Sequence, residues 1–122
     1  MEKSENKMVN KVELNGFAGI NPEVVNVKEG LKVARFTLAT SESYKNRNGE
    51  LVKETSWHRI VLWNKLADQA QSLIKKGSRI NLLGKIVNSS YTDQKGEKRY
   101  TTEIFAYSFE VVNQEQLQNH EE

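Results

Sequence analysis

Polar and apolar residues alternate along most of this chain, the signature of strands covered on one face only. Strand signals begin at Val9. Val12 and Leu14 then alternate with Lys11 and Glu13 as far as Gly16. The stretch Gly16 to Pro22 holds Gly16, Gly19 and the proline, which predicts a bend or bulge in a strongly curved strand. Val24, Val25 and Val27 predict a short strand, and Lys28-Glu29-Gly30 a turn. A long strand runs from Leu31 to about Tyr44, with Ala34, Phe36 and Leu38 on one face and Arg35 and Thr37 on the other. Lys45 to Glu50 is a polar loop containing Asn48-Gly49, a hairpin signal. The next strand spans about Thr55 to Trp63.

The period then changes. Leu66, Ala67, Ala70, Leu73 and Ile74 follow helical spacing; Asn64 suits the start, Lys75 and Lys76 the last turn, and Gly77 the stop. Alternation returns from Arg79 to about Tyr91, with Ile80, Leu82, Gly84 and Ile86 on one face. Asp93 to Gly96 reads as a second hairpin turn, and the last strand runs from Arg99 to about Val112. Three long strands, one helix and two more strands predict an all-β fold with one helix. The match is a five-stranded Greek-key barrel, the OB-fold, with the helix between strands 3 and 4. A small open β-sandwich is the alternative. The expected organisation is a flexible N-terminus over 1–8, the barrel domain over 9–112, and a polar acidic tail over 113–122.

Composition narrows the function. The 122 residues suit one domain. No cysteine is present, so neither a disulfide nor a thiolate metal site can form. No apolar run approaches the roughly 18 residues of a membrane span, and residues 1–8 carry no secretion signal. No membrane partner is expected, and a cytoplasmic location fits. All 18 Lys and Arg lie in residues 1–100 with 11 of the 16 Asp and Glu, giving that part +7; residues 101–122 hold five Glu and no base. A basic body with an acidic end suits a polyanionic partner. His58 and His120 are the only histidines, and no cluster has metal-ligand spacing. There is no phosphate-cradling loop, and the serines have no evident base. No catalytic residue, metal or cofactor is expected; the function is binding.

Four aromatics carry the binding chemistry: Tyr44, Trp57, Trp63 and Tyr91, spread over three strands with basic residues between them. In the run Ser56 to Trp63, period two puts Trp57, Arg59, Val61 and Trp63 on one face and His58, Ile60 and Leu62 on the other. The second face reads as core. Indoles with a guanidinium between them suit flat, negatively charged, unstacked bases. Parity alone leaves open that both tryptophans are core, since large aromatics are mostly buried.

Taken together, these segments resemble the bacterial single-stranded DNA-binding protein family over nearly the whole chain. The matching pieces are Val9-Asn10-Lys11-Val12, Gly19 to Val24, Thr37 to Tyr44, Trp57 to Trp63, Lys65-Leu66-Ala67, Lys75 to Ser78, Tyr91-Thr92-Asp93 and Arg99 to Glu103. The resemblance implies an OB-fold that assembles as a homotetramer and coats single-stranded DNA in replication, recombination and repair. It implies stacking by Tyr44, Trp57, Trp63 and Tyr91. It implies phosphate contacts from Lys11, Lys45, Arg47, Arg59, Lys65 and Lys76, and a subunit-interface role for His58. Two positions carry tyrosine where the family commonly has tryptophan, and Trp63 stands where phenylalanine is common. Asn88, Ser89 and Ser90 stand where a basic pair usually precedes the Tyr91 position, which removes local positive charge. The usual long linker and acidic, hydrophobic tip are not matched, so recruitment of replication and repair enzymes through a tip is not expected. A short form of the family is the resulting expectation. An OB-fold interaction module of a primosome-type complex, binding DNA or RNA only weakly, is the rival reading.

Overall fold

The computed structural model describes residues 8–112. The expectations for residues 1–7, for the 113–122 tail and for His120 lie outside the described residues. Six strands and one helix follow in order: β1 (Val12–Ala18), β2 (Glu23–Lys28), β3 (Leu31–Lys45), β4 (Leu51–Trp63), α1 (Lys65–Leu73), β5 (Arg79–Thr92) and β6 (Lys98–Val112). The sheet order is β1-β5-β6-β4-β3-β2, and a second pairing of β1 with β3 closes five of the strands into a barrel. The short strand predicted around Val24 is β2, an edge strand folded back on β3. Counting the five closing strands, α1 follows the third and precedes the fourth, so the OB topology stands.

Closure depends on β1 serving two neighbours. Val12 to Phe17 pair with β5, while Phe17 and Ala18 pair with β3. At the crossing, a side chain on Gly16 would collide with the carbonyl oxygen of Ala39, so glycine is what lets the strands approach. The barrel interior is filled by the apolar parity of each strand: Ala34, Phe36 and Leu38 from β3, Ile60 and Leu62 from β4, Ile80 and Leu82 from β5, and Ile104 and Ala106 from β6. Ala67 and Ala70 of α1, with Ile74 just beyond it, complete that core.

Several boundaries differ from the sequence expectation. β1 begins at Val12 rather than Val9; before it, the Asn10 side chain bonds both the N–H and the carbonyl of Ile86, standing in for a ladder residue. β4 begins at Leu51, not Thr55, because the ladder with β3 continues down to Lys45↔Leu51, although Lys53 and Glu54 show no apolar alternation. Asn64 does not cap α1 with its side chain. Its backbone is left-handed (φ 53°), and its Oδ1 accepts from the Lys32 N–H at 3.0 Å, tying the helix start to β3. Lys75 and Lys76 lie beyond the helix in the turn that Gly77 completes at φ 91°.

Candidate nucleic-acid interface

β3 with β4 and β5 with β6 form two long hairpins that project from the barrel. Among the described residues their backbones pair only where β4 runs parallel to β6, at Ile60 with Ile104 and Val61 with Phe105, and beside that point Arg35 Nε lies 3.7 Å from Glu103 Oε2. Beyond that point they diverge and leave an open cleft. Trp57, His58 and Arg59 line one wall, and Tyr100, Thr101 and Thr102 the other.

The outward parity of β4 gives a graded face. Trp57 is 63% exposed and Arg59 is exposed, Val61 is buried, and Trp63 is half-buried. Both tryptophans therefore lie outside the barrel interior. Trp63 is nonetheless held: its ring meets Phe105 edge-on at 5.8 Å, beside Val33 across the ladder. Arg59 neighbours Trp57 but is separated from Trp63 by Val61, so it flanks one indole rather than filling a gap between two.

Trp57 owes its posture to Gly19. The Gly19 N–H bonds the Thr37 carbonyl at 2.8 Å, and a Cβ there would lie 2.6 Å from Cζ3 of Trp57. The indole therefore reaches across β3 and rests on a bare stretch of backbone, with much of its surface open.

Tyr91 shares the outward face, since it pairs with Arg99, in step with Phe105 higher on the same strand. Tyr44 does not. It falls on the parity of Leu38 and Phe36, beyond the end of the core, where its hydroxyl donates to Glu54 at 3.3 Å. The fold thus brings Trp57, Trp63 and Tyr91 to one face and Tyr44 to the other side of the β3–β4 hairpin.

The basic residues divide similarly. Lys45 and Arg59 share the Trp57 face, and Arg47 sits in the turn at the hairpin tip. Lys11 is exposed just before β1. Lys65 opens α1, away from Trp57, beside Asn26, Leu31 and Asp68. The Lys76 backbone N–H bonds Asn21 Oδ1 at 2.8 Å, next to the bend that carries Gly19. Half-buried His58 faces inward; its Nε2 lies 2.9 Å from Thr40 Oγ1.

Three features escaped the sequence reading. Lys53 pairs with Ser43 on the Trp57 face. Tyr100, 75% exposed, stands across the cleft with Lys98 Nζ 5.8 Å from its ring centre. Phe17 is half-exposed with the Arg79 guanidinium 5.6 Å over its ring. Parity within one strand says nothing about which strand lies next door, so only the register could reveal them.

In the β5–β6 turn, Asp93 Oδ1 accepts from the N–H groups of Lys95 and Glu97, and Oδ2 from Arg99 Nε at 2.8 Å. The Arg99 guanidinium first, then these N–H groups, hold the Asp93 carboxyl below the usual carboxylate range.

Exposed indole and phenol rings can stack on flat rings, and free guanidinium and ammonium groups can pair with phosphates. Among the described residues no group of His, Asp and Glu could hold a metal ion, and no helix is long and apolar enough to cross a membrane. A closed five-stranded barrel with an open aromatic and basic face defines an OB-fold binding module. Residues 9–112 match the model of the Single-strand binding protein family, and the chain belongs to that family. It is 42% identical over 105 residues to Single-stranded DNA-binding protein 1 of Chlorobaculum tepidum, a match covering 85% of this chain and 65% of that relative's length. It is also similar to the Plasmodium falciparum SSB solved in complex with ssDNA. That likeness has a TM-score of 0.81 and 31% identity, and covers 88% of this chain and 98% of the other.

Proposed function

We propose that this protein binds single-stranded DNA with little regard to sequence, shielding it during replication, recombination and repair, without catalysing a reaction. Membership of the family and the likeness to an SSB solved with ssDNA support the reading. The observation that carries it is the Trp57 indole, open to solvent, propped on Gly19 and flanked by Arg59 at the mouth of a cleft. A buried indole could serve the core; one held out over bare backbone suits stacking on a base.

In this account bases stack on Trp57, Trp63 and Tyr91, and on Tyr44 where the strand passes around the β3–β4 hairpin. Lys11, Lys45, Arg47, Arg59, Lys65 and Lys76 pair with phosphates. Release of the counterions they displace drives binding, and π-stacking accepts any base, which gives sequence tolerance. The protein works in the cytoplasm as a homotetramer with His58 at a subunit interface. The β1 edge supports self-association: among the described residues, Val12 to Asn15 have ladder partners on β5 only.

The test is anisotropy of a labelled oligo-thymidine titrated with the protein and with Trp57→Ala. The substitution is expected to cost about 1–3 kcal/mol of binding. Unchanged affinity in a folded variant contradicts the stacking role.

A further inference from the structure

We infer that Phe17 and Arg79 form an additional single-stranded DNA platform, continuing the Trp57 surface across β1 to β5. The inference rests on the reading of Trp57 as a stacking residue. Phe17 lies where β1 changes partners, so it pairs with Arg79 of β5 on one side and Ala39 of β3 on the other. Ala39 in turn pairs with Trp57. The register therefore sets Arg79, Phe17, Ala39 and Trp57 in one row across four strands.

Two details make the row continuous. The Trp57 ring reaches over β3 to Gly19. Gly19 is two residues beyond Phe17, roughly 7 Å along an extended chain. The two aromatic surfaces thus sit about one strand step apart, and Ala39 is too small to stand between them. Phe17 is also 48% exposed although it belongs to the barrel wall, where the neighbouring Ala18 is buried. An apolar ring left half in water, in line with an open indole, is a surface that a flat base can cover.

Arg79 supplies the charge. Its Nε donates to Asn15 Oδ1 at 3.1 Å, which aims the guanidinium over the Phe17 ring with Cζ 5.6 Å from the ring centre. A guanidinium held this way can stack under a base while its outer N–H groups pair with the next phosphate. A nucleic-acid strand is the occupant that uses both halves of the pair. An apolar protein surface would leave the guanidinium desolvated without an anion.

Three variants test this. Phe17→Leu keeps an apolar side chain but has no π-face, and Arg79→Gln keeps the stem without the charge. Each is titrated with a long oligo-thymidine beside Trp57→Ala, with sedimentation and thermal melting followed in parallel. The expected result is about a tenfold loss of affinity for Phe17→Leu. For Arg79→Gln, the slope of log affinity against log salt is expected to be shallower by about 0.7. Assembly state should be unchanged in both. Phe17→Trp, in a protein with Trp57→Phe and Trp63→Phe, should show fluorescence quenching by the oligonucleotide, a signal that a purely structural residue would not give. Wild-type affinity in Phe17→Leu and Arg79→Gln while Trp57→Ala binds weakly overturns the inference and spares the proposed function. A changed sedimentation coefficient makes Phe17 a subunit contact and also overturns it. Full affinity in Trp57→Ala removes the surface that this platform extends, and both readings fall together.

Discussion

Trp57 shows how much one missing side chain can decide. An indole this exposed would ordinarily sample several rotamers. Here the ring lies against Gly19, where a Cβ would meet both Cζ3 of Trp57 and, at 2.7 Å, Oγ1 of Thr37. The glycine is thus part of the binding surface, although it offers no chemistry of its own. Gly19→Val should push the indole off its rest and weaken oligo-thymidine binding about as much as Trp57→Ala does. In the double variant the two losses should add only in small part, because the valine weakens binding chiefly by displacing the ring, while the Thr37 hydroxyl can rotate away. Additive losses in a double-mutant cycle of binding free energies would show that Gly19 matters for some other reason. The sequence exposed Trp57 as a candidate through its residue type and parity. It left core or surface open, because parity cannot tell which side of a strand faces the barrel axis at its outer end. Phe17 and Tyr100 stayed hidden for a related reason: their neighbours come from other strands, brought close only by the register.

At the scale of elements, the two projecting hairpins carry the interface, and their turns set its reach. Alternation located most strands because each buries one face against the barrel. It failed at Leu51 to Glu54, where β4 has left the core and pairs with β3 above solvent on both faces. The helix was legible from its apolar spacing, and so was its start after Asn64; what holds that start was not. Asn64 spends its side-chain oxygen on Lys32, a tertiary bond that no local capping rule anticipates. The β5–β6 turn makes a prediction of its own. Because the Asp93 carboxyl is held below the usual range by Arg99 and by the N–H groups of Glu97 and Lys95, its support for the turn is complete above that range. That support is lost as pH falls through the lowered folded value. The amide resonances of Lys95 and Glu97 should therefore stay native-like until pH is below the ordinary carboxylate value and then move together, and Asp93→Asn should abolish that step. Movement at a higher pH, or none, would contradict the assignment.

At the scale of the molecule, the placement of Tyr44 opposite Trp57 has a geometric consequence: one strand touching both must bend around the β3–β4 hairpin. The proposed phosphate contacts divide in the same manner. Lys45 and Arg59 lie on the Trp57 face, while Lys65 lies at the helix. Replacing Lys45 and Arg59 together by Gln should flatten the salt dependence of oligo-thymidine affinity by about 1.4 in log–log slope, at about 0.7 per phosphate contact. An unchanged slope would place the strand elsewhere on the barrel. Lys65→Gln, measured the same way, reports whether the path extends to the helix end: a flatter slope says that it does, an unaltered one that it stops short.

The most direct measurement of the central claim is intrinsic tryptophan fluorescence during titration with an unstructured oligo-thymidine, at low and at high salt. Trp63→Phe would be used so that Trp57 alone reports. The account predicts strong quenching that saturates, with an affinity that falls as salt rises. A folded sample whose Trp57 emission does not change while DNA binds would contradict it, because the indole proposed to hold the base would then be untouched.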